Sequence, residues 1–250
     1  MRKLVGIILL AALILVLVAC TNGALQAEYE AYIERDEITA DYDNGFDDSL
    51  IDDDLPLPEP QEKPAIKTDA FAELASGERG GEITHIVLHF ISNVIANPMN
   101  PYIMEDIEAI FQTYGVSAHY IIDRDGTIHL AVPENRVAFH AGAGALADFP
   151  EYENNLNQYS IGIELLGIGT QEEMSQFLSA AEYNALDPSL IGFTDAQYMS
   201  LNWLLNDILA RHPTIQPNRT HIIGHSEYAP DKPDPGALFE WERLDFMNTP

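Results

Sequence analysis

The chain has 250 residues, 46% of them hydrophobic, and its 40 Asp and Glu against 12 Lys and Arg leave a formal net charge of −28 at pH 7. That excess of negative charge repels phosphate backbones and sets nucleic-acid binding aside as a function class. Cys20 is the one cysteine, which rules out an intrachain disulfide framework and a thiolate-rich metal site.

At the amino end, Arg2 and Lys3 precede an apolar stretch from Leu4 to Ala19 that is short for a membrane span. It closes on Leu17-Val18-Ala19-Cys20, a pattern similar to a bacterial lipobox. Residues 1–20 are therefore expected to be a lipoprotein signal peptide, with Cys20 as the lipidation site. Acyl chains on Cys20 would hold the protein to a membrane leaflet, and the location would be extracytoplasmic. An uncleaved anchor with an incidental cysteine is the alternative. Residues 21–67 carry 14 acidic side chains against Arg35, Lys63 and Lys67, with Pro56, Pro58, Pro60 and Pro64 near their end. Low hydrophobicity and like charge predict an acidic linker without a core of its own. Residues 68–250 then suit one folded domain with one core, expected as a monomer.

Within that domain, Ile83 to Phe90 is predicted as a buried strand. Ile103, Ile107, Ile110 and Phe111 recur at helical spacing, with Gly115 as the stop. Val116–Ile122 and Thr127–Val132 flank Asp123-Arg-Asp-Gly126, a hairpin signal. From Tyr159 to Leu166, Ile161, Ile163 and Leu165 take one face while Gly162 and Glu164 take the other. Residues 168–192 read as an irregular insertion, partly helical around Glu172–Leu178, that could wall a groove. Thr194-Asp-Ala-Gln197 is a capping-box pattern opening an amphipathic helix through Tyr198, Leu201, Leu205, Ile208 and Leu209 that closes before Pro213. A last strand, His221–Gly224, follows. Strands mixed with helices and at least one hairpin predict an α/β fold, a central mixed β-sheet flanked by helices.

The chemistry concentrates after that last strand. His225 stands at its end and Asp234 follows nine residues later, across a loop stiffened by Pro230 and Pro233. An imidazole and a carboxylate held this way suit a hydrolytic zinc site, which takes three protein ligands and keeps one position open. His89, at the end of an apolar strand, is the first candidate for the third ligand, and His119 competes with it. His85 lies about 13 Å back along the same strand. His212 and His221 read as surface residues. Glu164 interrupts an apolar strand, where a carboxylate costs several kcal/mol unless paired. It is either an ion pair with a neighbouring Arg or a general base for an attacking water. Lys232, two residues before Asp234, could stabilise an oxyanion.

Five segments occur in order: Ile86-Val-Leu-His89, Val116 through Gly126, Val137-Ala-Phe-His-Ala-Gly142, Ser160-Ile-Gly-Ile-Glu164, and Gly224 through Gly236. Together they resemble the zinc-dependent N-acetylmuramoyl-L-alanine amidases of the type 2 family, relatives of phage lysozyme-type amidases and peptidoglycan recognition proteins. The resemblance covers nearly all of residues 80–242. It implies zinc held by His89, His225 and Asp234, Glu164 as the catalytic acidic residue and Lys232 as the transition-state cation. In the phage-lysozyme branch a tyrosine does the work assigned to Glu164 and a cysteine replaces the aspartate; Ala118 stands where that tyrosine would be, which favours the glutamate branch. Phe139 stands where a tryptophan is common, and with His119 and His140 it is expected to hold glycan or peptide. The implied substrate is peptidoglycan or a muropeptide. The rivals are a non-catalytic peptidoglycan-binding module of the same fold and a zinc hydrolase of another amide.

Overall fold

The apolar run His85–Ile91 forms β3, a strand of the main sheet paired on both sides. In the computed structural model, residues 63–68 and 74–247 are described; the expected signal peptide, Cys20 and the acidic segment as far as residue 62 lie outside them. Before β3 come two short strands, β1 (Ile66–Lys67) and β2 (Ser76–Glu78). After it come α1 (Met104–Tyr114), β4 (Tyr120–Ile122), β5 (Ile128–Leu130), β6 (Arg136–Ala138) and β7 (Ser160–Leu166). The chain continues with α2 (Ala180–Asn184), α3 (Asp195–Arg211), β8 (Ile222–Gly224) and the single-turn α4 (His225–Tyr228). Six strands form one sheet in the order β1-β5-β4-β7-β3-β8, and β2 pairs with β6 separately. β3 runs parallel to both β7 and β8, and β4 runs parallel to β7 and antiparallel to β5. The sheet is mixed, as expected. β1 pairs with β5, so the domain begins inside the segment expected to be linker up to residue 67.

Strand periodicity decides which residues meet helices and which meet the site. Ile86 and Leu88 of β3, Ile161, Ile163 and Leu165 of β7 and Ile222 of β8 form one core with Tyr198, Leu201, Leu204, Leu205 and Ile208 of α3. The opposite face is split. Ile107 and Phe111 of α1 cover Ala118 and Ile121 at one end, while Tyr228 and Leu156 cover Val87 and Ile223 at the other. His89 and Glu164 lie on this second face as register partners on adjacent strands.

The helix ends follow the local rules. Thr194 accepts the Gln197 amide and Gln197 returns the bond to the Thr194 amide, the expected capping box. The Gln197 side chain also donates to the carbonyls of Ile122 and Leu166, fastening α3 to two strand ends. Gly115 ends α1 at φ 64°, a left-handed conformation that favours glycine. The hairpin strands are shorter than their apolar runs because the preceding residues pair elsewhere. Ser117 donates its amide to Phe139 and His119 donates to Gly162. Residues 168–192 hold a short 3₁₀ turn (Glu173–Gln176), α2 and a second 3₁₀ turn (Pro188–Leu190). They bury their own cluster of Ile168, Met174, Leu178 and Leu186 with Val94.

Candidate metal centre and active site

Three parallel strands deliver three side chains to one end of the sheet, the carboxyl edge where ligands of open α/β sheets bind. His89 projects from β3, Glu164 from β7, and His225 follows β8 directly. Asp234 returns on the loop after α4, held by the amide of Ser226, which donates to the Asp234 carbonyl at 3.0 Å. The Asp234–Pro235 bond is cis. Pro235 packs where Gly224 leaves room; a Cβ on Gly224 would lie 2.7 Å from its Cδ.

His89, His225 and Asp234 are all buried, and their potential ligand atoms lie within 4.8 Å of one another. Nδ1 of His89 is 2.8 Å and Nδ1 of His225 is 2.9 Å from Oδ2 of Asp234. The outward nitrogens have partners that fix the tautomers. Nε2 of His225 donates to the Ala141 carbonyl at 3.1 Å. Nε2 of His89 donates to Nδ1 of His140 at 3.1 Å; His140 donates from Nε2 to the Ser160 hydroxyl, which donates to the Leu156 carbonyl. With protons on both Nε2 atoms, two lone pairs and a carboxylate converge with no hydrogen among them. Either an imidazole takes a second proton or a cation sits between the three. Burial lowers the His89 pKa, against a smaller opposing pull from Asp234, so the imidazolium is disfavoured. Burial also works against ionisation of Asp234, but the facing rings of His225 and His89 outweigh it and hold that carboxyl below the usual range. Two imidazole lone pairs and a carboxylate, with both rings braced from behind, fit a metal ion.

These residues open into a cavity of about 560 Å³ that Phe139, His140, Glu164 and Lys232 also line. Glu164 is the unusual member. Its Oε2 is buried and has no hydrogen-bond partner among the described residues. Burial first, and the charge of Asp234 second, push its pKa well above the usual carboxylate value. No arginine pairs with it, so the ion-pair alternative is excluded among the described residues. Phe139 stands partly exposed on the cavity wall, in keeping with a contact surface for a ligand.

Several expectations need correction. His119 is fully buried rather than presented to a ligand. Its Nδ1 accepts the Gly162 amide at 3.0 Å, and its Nε2 faces the Arg136 carbonyl and the Arg79 guanidinium. Burial, then the Arg79 charge, lower its pKa to about 4. It braces the sheet and neither binds metal nor reaches the cavity. His140 does reach the cavity, but both ring nitrogens are used by the protein, so its hydrogen bonds serve His89 rather than a substrate. No residue of 168–192 lines the cavity either, so that insertion does not wall it. His212 and His221 are also more involved than surface residues. His212 binds Glu134 at 2.7 Å, and His221 stacks on His85 at 5.0 Å between ring centres.

Sequence reasoning missed the supports. The Asn157 side chain accepts the amides of His140 and Ala141, fixing the segment that meets both imidazoles. Arg79 donates to the carbonyls of Glu134, Arg136, Gln158 and Ser160 and knots β6 to the start of β7. Gly162 lies under His140; a Cβ there would come within 2.4 Å of the ring. Only that glycine, inside an apolar strand, carried a signal of close approach.

A sequence profile described as N-acetylmuramoyl-L-alanine amidase matches residues 79–237. The chain is 34% identical over 175 residues to a 1,6-anhydro-N-acetylmuramyl-L-alanine amidase of Haemophilus influenzae, covering 65% of this chain and 80% of that protein. It is 36% identical over 136 residues to the enzyme of the same name from Citrobacter freundii, spanning 54% of this chain and 58% of that protein. Among solved structures, the Escherichia coli amidase AmiD in complex with anhydro-N-acetylmuramic acid-L-Ala-D-γ-Glu-L-Lys is similar at 26% identity and a TM-score of 0.45, covering 68% of this chain and 64% of that one.

Proposed function

The chain belongs to the N-acetylmuramoyl-L-alanine amidase family, and from that premise we propose that it hydrolyses the amide between the lactyl group of a muramic acid and L-alanine, with zinc held by His89, His225 and Asp234. Zinc at such a site supplies a Lewis acid for the carbonyl and acidity for water. The chain's own residues do the rest. Glu164 takes a proton from the attacking water at its free oxygen and passes it to the departing alanine nitrogen. Its raised pKa suits both transfers, since a base near the working pH accepts and returns a proton most effectively. Lys232 lines the same cavity and offers its ammonium group to the developing oxyanion. Phe139 gives the sugar or peptide an apolar surface.

The observation that carries this reading is the buried, unpartnered Oε2 of Glu164 beside the three convergent acceptors. A chain selected only to bind would have no need to keep such a costly group. The test is digestion of defined muropeptides with and without chelator. Release of a free stem peptide beginning at L-alanine, lost with chelator and restored by zinc, supports the amidase. Intact muropeptides that sediment with the protein support the binding module instead. We also propose, from the Leu17-Val18-Ala19-Cys20 pattern alone, that a lipid on Cys20 tethers the domain to a bacterial membrane near this substrate.

A further inference from the structure

The insertion at 168–192 reaches the backbone just beyond Asp234 through the side chain of Glu173. Glu173 stands in its 3₁₀ turn and spreads its two carboxylate oxygens between two backbones. Oε2 accepts the Thr170 amide at 2.7 Å, within the insertion. Oε1 accepts the Ala237 amide at 2.7 Å, across 64 residues of sequence. Ala237 lies three residues beyond Asp234. Two glycines clear the space for this contact. A Cβ on Gly169 would sit 2.6 Å from Oε2, and one on Gly236, at φ 83°, would sit 2.9 Å from both oxygens.

We propose that Glu173 is a positioning residue for the metal ligand Asp234, and that the insertion is a buttress whose purpose is to set metal affinity. The Asp234 loop is held on one side by α4, through the Ser226 amide and the close packing of Pro235 over Gly224. On the other side, the Glu173 carboxylate fixes the backbone just beyond the ligand. An ionised acceptor taking an amide hydrogen makes a strong bond of defined direction. The insertion anchors Glu173 in turn, because Met174 beside it is buried in the cluster with Ile168, Leu178 and Leu186. Without Glu173 the loop keeps one of its two flanks, and Asp234 samples positions that do not converge with His89 and His225. This inference rests on the metal-site reading above.

The experiment is zinc affinity by competition with a chromophoric chelator, on the full chain stripped of metal and titrated back. The variants are Glu173→Ala and Glu173→Gln, with the exposed Glu172→Ala as a control on the same turn. Partners bonded directly to a ligand side chain are worth about 10- to 100-fold in metal affinity, and Glu173 acts one step further out, on the backbone beyond Asp234. Glu173→Ala should weaken zinc binding by about 10-fold, the low end of that range. Glu173→Gln, which keeps one acceptor oxygen, should fall between Ala and wild type, and Glu172→Ala should match wild type. A purely structural role would lower the thermal midpoint of the metal-free protein and leave the affinity of the folded fraction unchanged. If Glu173→Ala does not fold, Glu173→Gln carries the test. Wild type binding zinc tightly, with both Glu173 variants within twofold of it, overturns the buttress alone. Wild type binding no zinc overturns the metal-site reading and the buttress with it.

Discussion

Glu164 should make the protein less stable than it could be, and Glu164→Gln tests that directly. Oε2 is buried with no partner among the described residues, and the neighbouring Asp234 charge opposes ionisation of the group. A buried polar atom left unsatisfied costs about 1–3 kcal/mol. The amide is nearly the same shape and cannot ionise, so the substitution removes the cost of placing a second charge beside Asp234. In a domain of this size 1 kcal/mol moves the thermal midpoint by about 2–4 °C. Metal-free Glu164→Gln should therefore melt several degrees above metal-free wild type, and the zinc-loaded variant should hold its metal while losing stem-peptide release. The pH dependence has a definite sign. A carboxyl whose pKa is higher folded than unfolded gives stability that is fully present below the unfolded value and is lost as pH rises through the folded one. The gap between variant and wild type should thus be smallest in acid and widen upward from about pH 4. Calorimetry in chelator across that range, alongside the muropeptide assay, reads both halves. A variant that melts lower than wild type, or one that keeps full activity, refutes the reasoning.

Other outcomes follow from neighbouring residues. Gly162→Ala drives a methyl into the His140 ring and should cost about 1–3 kcal/mol by denaturant titration, since inserting a methyl into packed structure forces shifts of that size; an unchanged midpoint would mean that His140 is loosely held. The His119 pKa is lowered to about 4, so the unfolded chain takes up a proton that the folded one refuses, and stability drops as pH falls from the ordinary histidine value toward 4. His119→Gln should flatten that slope by about 3 kcal/mol in denaturant titrations at pH 7 and pH 4. Cys20→Ser should move the protein from the membrane fraction to the soluble fraction of a bacterial host and abolish labelling with a fatty-acid probe; a variant that stays in the membrane excludes lipidation as the anchor.

What could be read from the chain alone was whatever depends on nearby residues. Apolar periodicity located β3, β7 and α3, the Thr194–Gln197 pair marked a helix start, and the Pro-rich loop between His225 and Asp234 announced a ligand held in place. Glu164 stood out because a carboxylate in an apolar strand is expensive wherever that strand lies. The folded chain decided which histidine completes the site. His89 and His119 have similar local settings, but parallel pairing of β3 with both β7 and β8 carries His89 to the same sheet edge as His225. His119 is instead turned under Gly162, where both of its nitrogens meet backbone or Arg79. The same holds for His140, Asn157 and Glu173, whose partners lie between 16 and 64 residues away. Hydrogen bonds at that separation leave no periodic trace, because strand register and loop closure create them only once the sheet has formed.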